Sequence, residues 1–298
     1  MKNKTALGTI ILFITALIWG LAFVFQRTGM ESVGPLTFMA ARCFFAVIFL
    51  TVLLLVLRGP KKAFRFDRPT AIGGVLCGIL MTLANNAQQI GMVETSAGKA
   101  GFITAMYILL VPLFNTLIFG VKEKPIVWTG VFFGTVGMYL LCVTRDFSIE
   151  ASDIWVLGCA VLFSGHILCS DKYAQKADVI QMSFIQFVVS LVIDILLAVS
   201  FEDISLSGLL NARVPILYCG LLSAGVGYTF QLIGQKYVKP TAASLIMSLE
   251  SVFAVLAGWL ILSESFTARE LCGCIVMFCA IMLVKLTENK EPLQEESR

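Results

Sequence analysis

Ten runs of about 20 apolar residues, joined by short polar punctuation, constrain this chain more than any other feature. They fall near 7–26, 35–57, 70–91, 98–120 and 125–143, then 153–171, 179–200, 213–235, 241–262 and 267–286. Gly34-Pro35, Arg58-Gly59-Pro60, Lys124-Pro125 and Lys239-Pro240 mark the breaks between them. A run of this length crosses a bilayer core as a helix, because a helix satisfies its own backbone polar groups where no water is at hand. Barrel strands would be shorter and would alternate apolar with polar residues. With 58% hydrophobic and only 14% charged residues, against about 25% charge in a soluble domain, the chain cannot cover a water-facing surface. The predicted fold class is all-α, a polytopic membrane protein with ten transmembrane helices. The first run follows Lys2 and Lys4 as a signal peptide would, but it is long and lacks a small-x-small cleavage site, so it reads as a retained span.

Lys and Arg set the orientation. With the N-terminus inside, the inner segments hold 16 of the 22 basic residues, the outer segments only Arg27, Arg145, Arg213 and Arg269, and the spans Arg42 and Lys99. A wrong span count would scramble that alternation. The expected location is the plasma or inner membrane, multi-pass, with both termini cytoplasmic. A net charge of +3 spread over short loops gives no footprint for nucleic acid. The nine cysteines lie in or beside apolar stretches, where Cys packs as a small hydrophobe; Cys272 and Cys274 do not make a metal-type cluster.

The chain also repeats. Gln88-Gln89-Ile90-Gly91 recurs as Gln231-Leu232-Ile233-Gly234, 143 positions on, and the same shift lays Tyr107 on Glu250. A shift of about 144 or 145 sets Gly20 against Gly165 and the Arg42 stretch against that of Gln186. Five spans is an odd number, so the second copy enters the membrane from the opposite side. The expected organisation is a first five-helix repeat at 1–145, an inverted second repeat at 146–287 and a cytoplasmic tail at 288–298. Inverted repeats are a transporter device, giving two conformations of similar energy around a midplane site.

Several motifs carry a resemblance. Thr95-Ser96-Ala97-Gly98 running to Pro112 and Lys122-Glu123-Lys124, and Ser248-Leu249-Glu250-Ser251-Val252-Phe253-Ala254 followed by Gly258-Trp259 and Ser263-Glu264, resemble the EamA family of the drug/metabolite transporter superfamily. Ala16-Leu17-Ile18-Trp19-Gly20 is similar to that family's opening helix. The resemblance covers nearly the whole chain. It implies ten helices, cytoplasmic termini and export of metabolites, often amino acids or related compounds. The family usually has Glu-Pro where this chain has Glu250-Ser251, so no proline calls for a kink in the ninth span.

A polar side chain in a span is costly unless it faces protein or water, so each one is a functional candidate. Asn85, Asn86, Gln88 and Gln89 end the third span beyond a stripe at Gly74 and Gly78 that permits close helix approach; the amides either line a cavity or bond between helices. Lys99 either meets a substrate carboxylate near the outer mouth or snorkels to the surface. Tyr107 offers a hydroxyl and an aromatic face, and Pro112 a bend or a static kink. Trp19, Tyr228 and Gln231 complete the candidate substrate-binding set. Glu250 is the one acidic residue inside its span; it either carries a proton between the two sides or is held in a fixed pair with Arg42 or Gln186. His166 is a proton relay or a packing residue, Asp194 needs a partner, and Thr241, Ser244, Ser248 and Ser251 make one small polar face.

No HExxH, GxSxG or phosphate-loop pattern occurs, and a single histidine leaves little material for catalysis. The chain therefore reads as no enzyme, with no cofactor and no metal. The favoured function is a secondary active exporter of a small polar or amphipathic metabolite, working by alternating access with proton coupling. Its partners are then a small-molecule substrate, the lipid bilayer and protons. A channel or an uptake permease is the alternative, although a channel favours rings of one residue type or a filter loop.

Overall fold

The computed structural model describes residues 2–95, 97–142, 150–262 and 267–288. Arg145, Asp146, the Ser263-Glu264 pair, the tail from 289 to 298 and the side chain of Lys99 lie outside the described residues. Every regular element among them is helical: α1 (Lys2–Met30), α2 (Pro35–Arg58), α3 (Arg68–Gly91), α4 (Ala97–Thr104), α5 (Tyr107–Phe119), α6 (Pro125–Cys142) and α7 (Ala151–Ala174). There follow α8 (Val179–Phe201), α9 (Leu206–Asn211), α10 (Arg213–Leu217), a π-helix (Tyr218–Tyr228), α11 (Thr229–Gln235), α12 (Pro240–Met247), α13 (Glu250–Leu262) and α14 (Ala268–Glu288). Eight stretches among the described residues are long and apolar enough to span a bilayer, and the helix at Pro125–Leu141 is a shorter apolar one. The outward faces match that solvent: Leu117 is 72% exposed and Phe201 73%, which water would penalise and lipid does not. The chain is a multi-pass membrane protein.

Helix starts follow local chemistry. Asp67 accepts the Thr70 N–H at 2.9 Å and opens α3; the Thr70 hydrogen bonds hold that exposed carboxyl below its ordinary value. Glu150 and Asp153 form a reciprocal capping box at the start of α7. Asp178 accepts the N–H groups of Ile180 and Gln181 at the start of α8. Helix α2 begins at Pro35 and takes its cap from a distant segment. Glu202, just past α8, accepts the Leu36 and Thr37 N–H groups at 2.9 and 2.8 Å and the Thr37 hydroxyl at 2.7 Å. A carboxylate on free N–H groups at a helix N-terminus is favoured by both hydrogen bonding and the helix dipole.

These caps also fasten α2 to α8. At the other end of the pair Arg58 forms an ion pair with Asp178, and the Gln181 amide donates to the carbonyls of Lys62 and Ala63 at 3.2 and 3.1 Å. Helix α3 packs along α7 and α8, and α1 packs against α13, the π-helix and α11. Helices α6 and α14 lie side by side. Their approach needs glycine on both: a Cβ on Gly137 would sit 2.8 Å from the Gly273 carbonyl, and one on Gly273 2.6 Å from that of Gly137. We therefore expect Gly137→Val to separate α6 from α14 at a cost of about 1–3 kcal/mol, read as a lower unfolding temperature in detergent. Gly158→Ala, whose added methyl meets nothing within 4 Å, leaves that temperature unchanged.

Candidate functional site

Two spans are broken halfway, at corresponding places. Between α4 and α5 the ladder tightens, with Met106 N–H on the Ile103 carbonyl at 3.1 Å and Ile108 N–H on that of Ala105 at 3.0 Å. Between α12 and α13 the same pattern occurs, with Leu249 N–H on Ile246 and Ser251 N–H on Ser248, both at 3.2 Å. These i to i−3 bonds mark short 3₁₀ turns, and each donor and acceptor in the second break lies 143 positions after its counterpart in the first. The sequence offered no proline to bend the span at 240–261, yet the span is broken there. Ser244 and Ser248 hydroxyls bond the carbonyls of Thr241 and Leu245 at 2.8 Å, and such back-bonding bends helices without proline. Pro112 lies inside α5, beyond the break.

The second half-helices begin with Tyr107 and Glu250, and these two residues meet. The Tyr107 hydroxyl donates to Glu250 Oε1 at 2.9 Å, and both residues are buried. The Tyr228 hydroxyl donates to Asn85 Oδ1, also at 2.9 Å and also across a separation of 143. Aromatic neighbours fix Tyr228: its ring lies 4.7 Å from Trp19 and edge-on to Phe187 and His166 at 5.6 and 5.8 Å. The Trp19 indole donates to the Ser223 carbonyl at 3.1 Å, an approach that brings α1 against the π-helix. Gly20, the next residue, is pressed on α13, where an added Cβ would lie 2.7 Å from the Glu250 carbonyl.

These groups border a buried cavity of about 30 Å³, enough for one or two waters. Of the residues singled out in the sequence, Trp19, Arg42, Asn85, Gln88, Tyr107 and Tyr228 line it, with Gln231 and Glu250. The other candidates face elsewhere. Asn86 turns to Asp194, His166 Nε2 faces Gln186 Oε1 at 3.4 Å, and Gln89 is fully buried away from the cavity with neither amide atom partnered. Gln186 thus pairs with His166 and not with Glu250, whose hydrogen bond comes from Tyr107. Sequence reasoning missed Gln26, Thr104 and Ser223, which also line the cavity. Gln26 was findable, since Trp19, Ala22, Phe23 and Gln26 make one helical stripe on α1; Thr104, which accepts the Gln88 amide at 3.0 Å, carried no such signal.

Asp194 finds its partners between α2, α3 and α8. Its oxygens accept from the Asn86 amide at 2.6 Å and the Cys43 thiol at 3.2 Å, beside a Thr82–Ser190 hydroxyl pair at 2.5 Å. A wider chamber of about 510 Å³ lies at the ends of α1, α3 and α8, bordered by Arg27, Met30, Glu31, Met92 and Asp203. Phe23, Met92, Ala100, Ile103 and Val156 pack as one apolar cluster with Met30 against it; Phe23 borders the small cavity, and Met30 and Met92 the chamber. Among the described residues no group of three or more His, Cys, Asp or Glu side chains could hold a metal.

The comparisons bear on this arrangement. The chain is 29% identical over 284 residues to an uncharacterized transporter of Archaeoglobus fulgidus, covering 92% of this chain and 84% of that one. It is 24% identical to the uncharacterized transporter YoaV of Bacillus subtilis, over 96% and 98% of the two chains. It is likewise 24% identical to the uncharacterized inner membrane transporter YedA of Escherichia coli, over 92% and 89%. A solved crystal structure superposes with a TM-score of 0.78 at 16% identity, over 96% of this chain and 98% of the other, which shows a shared fold. The sequence profile of the EamA-like transporter family matches twice, at residues 6–143 and 151–286. The chain belongs to the EamA-like transporter family, and it is a membrane transporter, not an enzyme.

Proposed function

We propose that the protein is a secondary active transporter that exports a small polar or amphipathic metabolite by alternating access, with Glu250 carrying the coupled proton. One observation carries the reading. Tyr107 with Glu250, and Asn85 with Tyr228, are pairs of corresponding residues of the two halves, each 143 apart, that touch each other. Corresponding residues touch where the axis relating the two halves passes between them, and with an odd number of spans in each half this supports an inverted repeat with both pairs on its axis. Counting Pro125–Cys142 and Ala268–Glu288 with the eight longer stretches gives ten spans, five in each half. Residues 1–145 and 146–287 then form the repeats, 288–298 a cytoplasmic tail, and both termini lie inside. A site on such an axis is reached equally well from either side as the halves exchange conformations.

In this orientation the larger chamber faces outward, and the layer of Phe23, Met92 and Ile103 is the gate between it and the central cavity. Glu250 supports coupling by its place: it is buried, begins a half-helix and, among the described residues, has one hydrogen bond, from a hydroxyl that can follow either protonation state. Export follows from the family likeness.

Metabolite profiling of medium from cells with and without the protein identifies an exported compound, which is then followed in vesicles of the purified protein. We expect Glu250→Gln to cut accumulation driven by a pH gradient at least about tenfold; unchanged proton dependence would remove Glu250 from the coupling role. Single cysteines placed at Lys122 and Lys176 on a cysteine-free background should both be labelled from the cytoplasmic side. Labelling from opposite sides would end the inverted arrangement.

A further inference from the structure

Arg42 is a permanent cation that is 2% exposed. Its Nη1 touches only the Met39 sulfur at 3.8 Å, and its Nε has no partner. No described carboxylate lies within ion-pair distance of it. Asp194 is bonded to Cys43, the residue after Arg42, and both its oxygens are engaged, by Asn86 and Cys43. Asp194 therefore leaves the donors of Arg42 unconsumed. Arg42 lines the central cavity, as does Gln231, fully buried with both amide atoms unpartnered. A buried charge whose donors are not all used is costly, and here the residue that carries them is part of the wall of a cavity.

We infer that Arg42 is the substrate-anchoring residue and that the transported solute carries a carboxylate, held by the guanidinium while Asp194 supplies the resident counter-charge. This inference rests on the transport reading above and names its substrate class. Guanidinium and carboxylate are both planar, and two parallel N–H···O bonds between them are among the strongest polar contacts in a low-dielectric site. Trp19, Phe163 and Met247 on the same walls receive an apolar remainder. Glu250, on α13, disfavours a second negative charge on the solute, so a monocarboxylate fits better than a dianion.

The test uses the purified full-length chain, with tryptophan fluorescence reporting from Trp19 and with benzoate, benzamide and phenylphosphonate as probes. Benzoate should bind at least about tenfold more tightly than benzamide, with the response lost in Trp19→Phe. Arg42→Gln should bring acid and amide to the same affinity. If that variant does not fold, Arg42→Gln with Asp194→Asn removes both buried charges together and should give the same result. Equal affinity in the unmodified protein, no binding of either probe, a preference for phenylphosphonate, or a preference for acid that survives loss of Arg42 would each overturn the inference. A protein that pumps its metabolite yet ignores the carboxylate refutes this inference alone; one that selects benzoate but moves no metabolite refutes the transport reading alone.

Discussion

The bond between Tyr107 and Glu250 lies where two interrupted spans meet, and much of the structure follows from accommodating it. A carboxylate taken from water into protein carries a penalty of several kcal/mol when charged. Here the tyrosine hydroxyl offsets part of that, and Glu250 opens α13, where the helix dipole favours negative charge. Both contributions exist only because the spans are broken. A continuous helix through residues 240–262 would leave no helix start at Glu250. The 3₁₀ turns at Met106 and Leu249 are thus part of what makes a buried acid tolerable.

Stiffness is unevenly distributed around this centre. Helices α2 and α8 are held together at one end by Glu202 and at the other by Arg58, Asp178 and Gln181, with Cys43 on Asp194 midway. These contacts are directional and mostly engage charged groups, the stronger class of hydrogen bond. The broken spans have weaker means of holding shape. At each break the backbone has given up its i to i−4 bonding for tighter turns, and the layer around Phe23 and Met92 is apolar contact alone. Motion concentrates where contacts are non-directional and the ladder is already interrupted.

Much of this was legible in the sequence because lipid imposes a simple rule on composition and length. The helix positions, the repeat shift of 143 and the likeness of the Glu250 segment to a transporter family all came from linear patterns. Polar residues within apolar runs were legible too, which is why Tyr107, Tyr228 and Glu250 stood out. Rotation around the helix axis was not. Asn85 and Asn86 are adjacent, yet one bonds Tyr228 at the cavity and the other bonds Asp194 between α3 and α8. A step of about 100° per residue separates those fates, and only the packing of neighbours selects between them. The break in the ninth span was missed for a related reason: its cause is a pair of serine hydroxyls turned back onto the backbone, in a face that reads from sequence as ordinary small-residue packing.

The meeting of α5 and α13 has one more consequence. Both begin at a break within a span, so the positive ends of two helix dipoles, each worth up to about half a charge, lie at the Tyr107–Glu250 contact. With Arg42 close by, the potential at that depth is positive whenever Glu250 is neutral. In that protonation state a small metal cation meets an unfavourable potential there, whereas a neutral or anionic organic solute does not.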